Sequence, residues 1–592
     1  MCGFFGTFSL EQTEKVYPIN KVSLSHRGPD SNKNFKDNFF YGEFFRLNII
    51  GGKSANQPMI SRDKKLLMLF NGEIYNYIEI AKQYNVSSKH GDSRVAVELI
   101  SKYGVNILKK FNGMFAIVIY DRSKKKIHLI RDRLGTKPLY YTKKGKNYHF
   151  ASEIKAIPII KNIDSNIVDD YLEQGNYPKI KSFFKKIYNV PPSSIIEISK
   201  DKFQIQKYFD IKKEVEIQSK KTFEEDKFDE LLKRAILIRQ RSDKKINFHL
   251  SGGIDSTSLL IYTKDNWSSN YNIKSNSFSY YGYKDDEYKY INKISKKLKI
   301  KNHKVILYPS EVPELAEKLQ YFQDEPFGGL ATFAEFKLNL EEAKRGEIVS
   351  FEGMGGDEIL GGYNSHFLMA LYELLKRKKL NKNILEMQSY LGLTTKEVFK
   401  KSKRLIKSGF YASTDLSDFR VSNRMNNKNI EKDDWFKKIM FYDILEAKIP
   451  RTLRFRDRIS SACSRELRFP LLDHEFLIYS LASPLDFKFR NGLPKYPLRK
   501  IVKKYFKQDF NHKKRSMSSP QTPWLQGPLR DWALDNLNAL ETKSVIEKKH
   551  ITKVKKMLNQ KLNNSYLIWQ LINLNLFYDN TKYQNFLLNA KK

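Results

Sequence analysis

The sequence predicts two domains: an N-terminal layered α+β unit with antiparallel sheets, and a C-terminal α/β unit built on a doubly wound parallel sheet and ending in a helical part. Three observations predict this. From residue 1 to about 200, β-like runs alternate with turn signals and short helical patterns. From about residue 222 strand-like and helix-like segments alternate, as in βα units feeding a parallel sheet. Beyond about residue 365 the periodicity is mostly helical. At 592 residues the chain can hold about two to four domains with real cores.

In chain order, strands are expected at Lys65–Phe70, Met114–Tyr120, Lys126–Ile130 and Tyr148–Ala151, with helical stretches near Ser93–Tyr103 and Ser152–Ile159. Pro191-Pro192 leads into Ser193–Ile198, read as the final strand of the first unit. The charged stretch Ile211–Lys221 reads as a linker, which puts the domains at residues 2–210 and 222–592. Lys244–Leu250 is β-like and leads through a tight turn into a helix opening at Thr257–Tyr262. Glu347–Phe351 is a further β-like run, and residues 373–410 carry a lysine-rich helical insert. Cys463 lies in a helix-like run and is expected in the core.

The formal charge is +40, from 106 basic and 66 acidic residues, with a pI near 9.7. The lysines are spread along the chain among Asn, Ile, Phe and Tyr, and no RNA-binding appendage stands out. The expectation is a solvated basic surface that steers small anionic substrates, with no nucleic-acid partner. Two cysteines exclude a disulfide framework and favour a reducing compartment. Met1–Leu10 lacks a basic, long apolar leader, and no apolar run approaches the ~18 residues of a membrane span, so a cytoplasmic protein with no membrane partner is expected.

Ser251-Gly252-Gly253-Ile254-Asp255-Ser256 is the stretch around which the second unit is organised. A strand, a Gly-Gly turn and a helix N-terminus gather backbone N–H groups on one concave face, and the hydroxyls of Ser251 and Ser256 add donors. Such a face suits phosphate, and glycine lets the backbone approach it. A Ser/Gly turn alone is an ordinary turn; Asp255 changes its meaning, because a carboxylate in an anion cradle requires a bridging cation such as Mg²⁺. It is not a Walker A loop, and Gly51-Gly52-Lys53-Ser54 is not one either, since position 47 is Leu. The stretch resembles the pyrophosphatase loop of enzymes that cut ATP into AMP and pyrophosphate.

At the other end of the chain, Cys2 becomes the first residue if Met1 is removed. An N-terminal cysteine carries nucleophile and base together: thiol pKa about 8.5, α-amine about 7.7–8.0. Downstream come His26-Arg27-Gly28-Pro29-Asp30, Arg46-Leu47, Asn71-Gly72-Glu73, Gly91-Asp92, Asn112-Gly113-Met114-Phe115-Ala116, the run Arg131–Tyr141 and Ala151-Ser152-Glu153-Ile154-Lys155-Ala156. In this order they resemble the N-terminal-nucleophile glutamine amidotransferase domain, over about 200 residues. The resemblance implies a layered αββα fold, with Cys2 attacking the glutamine amide, Asn71 and Gly72 forming an oxyanion hole, Arg46 holding the α-carboxylate, and Asp92 with Glu73 receiving the α-ammonium. Read alone, Asn71-Gly72 is a hairpin turn.

The second half adds Gln323–Gly329, Glu352–Tyr363 with Gly353-Met354-Gly355-Gly356-Asp357-Glu358, the run Leu453–His474, Lys495–Arg499 and a late basic stretch from Lys513 to Pro520. Together with the first half these resemble the glutamine-hydrolysing asparagine synthetase family of the bacterial B type over nearly the whole chain. The resemblance implies ATP as substrate, bound by Ser251, Gly252, Gly253, Asp255, Ser256, Gly353 and Gly355. It also implies Mg²⁺ on Asp255 and Asp357, and Lys495 stabilising charge at the reacting centre. A carboxylate, aspartate in the simplest case, becomes an acyl-adenylate that ammonia from glutamine converts to an amide. Homodimerisation is implied by the resemblance alone. Two departures bear on the acceptor: Met354 stands where the family carries Glu, and Ser516-Met517 where it carries Gly-Phe. The Asp324–Gly329 loop resembles relatives in surface-polysaccharide pathways, which makes a sugar uronate the alternative acceptor.

Overall fold

The first strand, β1 (Gly3–Ser9), is buried along its whole length, so both of its faces are covered. It lies inside a six-stranded antiparallel sheet ordered β10 (Tyr188–Asn189), β8 (Tyr140–Lys144), β9 (Asn147–Ala151), β1, β3 (Phe40–Arg46), β2 (Ser31–Lys36). A second antiparallel sheet runs β12 (Phe203–Lys207), β11 (Ser194–Ile198), β7 (Lys126–Arg131), β6 (Gly113–Asp121), β5 (Leu66–Ile74), β4 (Met59–Ile60). The computed structural model describes residues 1–13, 24–174, 180–267, 272–377, 381–408, 434–506, 519–560 and 565–589. Ser516 and Met517, with most of the late basic stretch, lie outside them.

Strand alternation builds the layers. Phe4, Phe8, Phe40 and Phe44 of the first sheet meet Leu67, Leu69, Val118 and Leu129 of the second in one inter-sheet core. At about 1.5–3 kcal/mol per buried aromatic or aliphatic side chain, this apolar stack is a leading stabilising term. Alternate residues of the second sheet, Met68, Phe70, Ile117 and Ile119, cover the helix Asp92–Tyr103 through Val95 and Leu99. The outer face of the first sheet is covered differently. Phe5, Tyr41 and Phe45 share a core with Leu319, Phe333, Trp569 and Phe577, from helices of the second half. The two halves therefore share a hydrophobic core.

The third sheet is parallel throughout, ordered β15 (Lys301–Leu307), β14 (Lys274–Tyr280), β13 (Ile246–His249), β16 (Val349–Phe351), β17 (Glu466–Arg468). Strands are added outward from β13 on one side and from β16 on the other, so the order reverses between them. A crevice opens beyond the C-terminal ends of strands at such a point. The loop after β13 begins at Leu250 and carries Ser251–Gly253; the loop after β16 carries Glu352–Gly355.

Four sequence expectations change. Ile211–Ser219 is a helix, capped by the Asp210 side chain accepting from the Lys213 N–H, and not a linker. Ile211 and Val215 fall on one face at i,i+4 spacing and join the core of the second half, while the charged residues that suggested a linker face solvent. Ser152–Ile159 contains a single 3₁₀ turn, Ile154–Ala156; Pro158 disfavours helix at the residue before it. Ser194–Ile198 is not the final strand, because the exposed edge strand β12 follows it. β17 interrupts the helical C-terminal part. The insert forms helices Asn364–Lys376, Lys382–Leu391 and Thr395–Lys407 among the described residues, and Cys463 is buried at a helix end. No described helix is long and apolar enough to cross a membrane.

Candidate active site

In β1, Phe4 and Phe8 point between the sheets, so by alternation Cys2 does too; in β3 the same parity applies to Phe40, Phe44 and Arg46. In β5, Leu67 and Leu69 point inward, and so do Asn71 and Glu73. One end of the sandwich thus collects Cys2, Arg46, Asn71 and Glu73. Asn71-Gly72 is not a hairpin turn: both residues sit inside β5, opposite Ala116 and Phe115. Gly72 is held at φ 145°, and a Cβ there would lie 2.0 Å from the Met114 carbonyl oxygen. Only glycine fits.

The Cys2 Sγ accepts from the Leu47 N–H at 3.4 Å and faces the Leu47 carbonyl at 3.6 Å. Burial pushes its thiol pKa up, opposed by the adjacent amine and the Leu47 N–H. The chain-terminal amine, here that of Met1, donates to the Arg465 carbonyl and is lowered to about 5 by burial. Arg46 is fixed by Asn56 (3.0 Å), Asn48 (2.9 Å) and the Ile50 carbonyl (3.2 Å). Asp92 opens its helix, accepting from the N–H groups of Ile74 (2.9 Å) and Ser93 (2.8 Å). Burial raises its carboxyl to about 6 against those bonds. Glu73 is raised well above the usual range, first by burial and then by Asp92 and Glu466. Asn71 is fully buried with neither side-chain amide atom hydrogen-bonded, and Glu73 Oε2 is also without a partner. Orphaned buried polar atoms are costly and rare, and here they converge beside a thiol.

The second cluster lies at the switch point of the parallel sheet. The Ser251 N–H donates to Ser256 Oγ at 3.1 Å, and the two hydroxyls are 2.9 Å apart, closing the turn onto the N-terminus of the helix Ile254–Asn266. Gly252 and Gly253 leave one side of the turn open: a Cβ on either meets nothing closer than 3.3 Å. Gly353 does not, since its Cβ would lie 2.6 Å from the Ser256 N. Gly355 adopts φ 107°, which turns the chain into the short helix Gly356–Leu360. Lys495 Nζ sits between Asp255 (2.8 and 2.9 Å) and Asp357 (2.5 Å). Burial alone would lower the Lys495 pKa; the two facing carboxylates outweigh it and raise it. All the residues expected to hold ATP and metal therefore meet in one crevice. Sequence reading missed Gly356 and Gly362. A Cβ on the first would strike the Asp255 carboxylate at 2.5 Å, and on the second Asp357 and Lys495 at 2.0 Å. Their signal was the doubled glycine on each side of Asp357-Glu358.

Residues 1–209 match the glutamine amidotransferase domain family and residues 227–579 match the asparagine synthase family. The chain belongs to the asparagine synthase family. It is therefore a ligase carrying a glutamine amidotransferase domain. It is similar to asparagine synthetase [glutamine-hydrolyzing] 1 of Bacillus subtilis, with 27% identity covering 97% of this chain and 95% of that protein. The putative asparagine synthetase [glutamine-hydrolyzing] 2 of Methanocaldococcus jannaschii is 33% identical over 62% of this chain and 76% of its own. A protein named amidase chry2 of Gibberella zeae is 24% identical over 88% and 87%.

Against this family background two features of the synthetase half stand out. Met354 is partly buried and packs on the apolar core, with no carboxylate to offer. Two residues earlier, just after β16, Glu352 is a largely buried residue whose carboxyl is raised to about 7 by burial, with Oε1 2.9 Å from Arg456 Nε and Oε2 3.9 Å from His249 Nδ1. The Asp324–Gly329 loop is largely a seam between the halves. Asp324 accepts from the Ile154 N–H (2.9 Å), and Glu325 accepts from the Phe183 N–H (2.8 Å) and Arg454 (2.6 Å). Its two carboxylates are thus engaged in holding the halves together.

Proposed function

We propose that this protein is a glutamine-dependent asparagine synthetase. The observation that carries the reading is the pairing, in one chain, of Cys2 beside Asn71, whose side-chain amide is unpartnered, and Glu73, whose Oε2 is free of hydrogen bonds, with the Asp255–Lys495–Asp357 constellation at the switch point. Aspartate as acceptor is supported by the names of the relatives from Bacillus and Methanocaldococcus.

In the first half, the Cys2 thiol loses its proton to the α-amine exposed by removal of Met1 and attacks the glutamine side-chain carbonyl. The Asn71 side-chain N–H and the Gly72 backbone N–H receive the developing oxyanion; fixed donors of this kind are worth about 2.7–4 kcal/mol each. Collapse expels ammonia and leaves a thioester, which water hydrolyses to glutamate. Arg46 takes the α-carboxylate through a charge-assisted pair, and Asp92 with Glu73 takes the α-ammonium. In the second half, the acceptor carboxylate attacks the ATP α-phosphorus, and pyrophosphate leaves across the N–H-lined turn Ser251–Ser256. Lys495 stabilises the phosphate charge and, later, the oxyanion formed when ammonia adds to the acyl-adenylate; AMP departs and the amide remains. Asp255 and Asp357 fit Mg²⁺, since both carboxylates already converge on one cation, and a bound ion would neutralise the departing pyrophosphate. Ammonia released into water at neutral pH is protonated, so an internal passage to the adenylate preserves its nucleophilicity.

Because Asp92 is raised to about 6, it loses its negative charge as pH falls through that value. The kcat/KM for glutamine is accordingly expected to drop below about pH 6, while ammonia-dependent synthesis, corrected for the free-base concentration, does not share that limb. A pH series with both nitrogen donors checks this.

The decisive assay is pyrophosphate release with MgATP and glutamine, with and without aspartate, followed by mass analysis for asparagine. Aspartate-dependent pyrophosphate with asparagine formed supports the reading; glutaminase activity with no response to aspartate overturns the acceptor. Met354 favours one second reading, in which the same chemistry amidates another carboxylate such as a sugar uronate.

A further inference from the structure

The helix Lys448–Ala462 belongs to the synthetase half, yet Asp457 and Ser461 on it reach Arg27 in the amidotransferase half. Arg27 is fully buried. Its Nε donates to the Cys2 carbonyl at 2.9 Å. Its Nη1 donates to Glu153 (2.8 Å), Asp457 (3.0 Å) and Ser461 (2.9 Å), and its Nη2 to Asp457 (3.3 Å). A second tie lies next to it: Ser464 donates through its N–H and hydroxyl to the His26 carbonyl, at 3.1 and 2.8 Å. A buried ion pair is weak evidence for net stability, but a two-pronged guanidinium–carboxylate pair fixes orientation.

The position of Cys2 gives that orientation a use. Cross-strand pairing of β1 with β3 begins at Gly3 opposite Phe45, so Cys2 lies one residue ahead of it. Once Met1 is gone, Cys2 is a chain end, and a bond to its carbonyl opposes rotation of the nucleophile out of line. Misplacing a nucleophile by about 1 Å costs on the order of 10²-fold in rate.

We propose that Asp457 of the synthetase half is a positioning residue for Cys2: it locks the Arg27 guanidinium, which holds the Cys2 carbonyl and aims the thiol. Glutamine hydrolysis then depends on the seating of the synthetase half, through a helix whose neighbouring Arg456 meets Glu352 just after β16. The inference rests on Cys2 being the nucleophile.

The test uses the full chain with Met1 removed. Asp457→Asn is expected to lower the glutaminase kcat about tenfold (~1.4 kcal/mol). The KM for glutamine stays unchanged, because Arg46, Glu73 and Asp92 are untouched. Pyrophosphate release driven by ammonium stays unchanged too, which a general loss of structure would not allow. Arg27→Lys keeps the charge but loses the Nε bond, and combining it with Asp457→Asn adds no further loss, since both act through one contact. Ser461→Ala, which removes one Arg27 bond, lowers kcat less and serves if Asp457→Asn fails to fold. Unchanged kcat in Asp457→Asn, or in Ser461→Ala where that stands in, overturns the proposal, as does additivity or a parallel fall of ammonium-driven synthesis. Glutaminase activity persisting in Cys2→Ala would overturn the reading of the nucleophile instead.

Discussion

Cys2→Ala is expected to abolish glutamine-dependent amide formation, by a factor on the order of 10³ or more, and to leave ammonia-dependent synthesis unchanged. The asymmetry follows from the placement of the two clusters. Cys2 lies in the crevice between the antiparallel sheets, whereas Asp255, Asp357 and Lys495 lie beyond the C-terminal ends of the parallel strands. Alanine is small enough for Met1 removal and supplies no nucleophile. Steady-state pyrophosphate release with glutamine and with ammonium, on the same preparation, checks the outcome. Loss of both activities in a folded protein that still binds ATP would overturn the separation of the two chemistries.

Lys495→Met is expected to have the opposite pattern: pyrophosphate release falls on the order of 10²–10³-fold with either nitrogen donor, while glutaminase activity remains. Methionine approximates the length of the lysine stem without its charge. Two consequences combine at that position. The developing charge on the α-phosphate and on the tetrahedral carbon loses its nearest fixed cation. In addition, Asp255 and Asp357 face one another without the ammonium that now lies within 2.9 Å of both. Like-charged carboxylates so placed drive one another toward the protonated form. Excess Mg²⁺ therefore restores binding of ATP more than it restores turnover, and ATP binding measured by calorimetry beside the rate separates the two.

The sequence alone pointed to several strands of the sandwich, at Lys65–Phe70, Met114–Tyr120, Lys126–Ile130 and Tyr148–Ala151, because these runs are rich in aliphatic and aromatic residues. It also pointed to both clusters, to Asp255 through the chemistry of a carboxylate in a Ser/Gly turn and to Cys2 through the downstream motifs that resemble the amidotransferase domain. The tertiary structure decided what those patterns could not. Asn71-Gly72 reads as a hairpin until its pairing with Ala116 and Phe115 places it mid-strand, since a turn signal is local and strand pairing is not. Ile211–Ser219 reads as a linker until Ile211 and Val215 find a core supplied by residues far along the chain. Above all, the contact between Arg27 and Asp457 spans 430 positions, and its partners are set by the docking of two halves on a shared core. Local sequence carries local preference and chemistry; which distant charges meet is decided by packing.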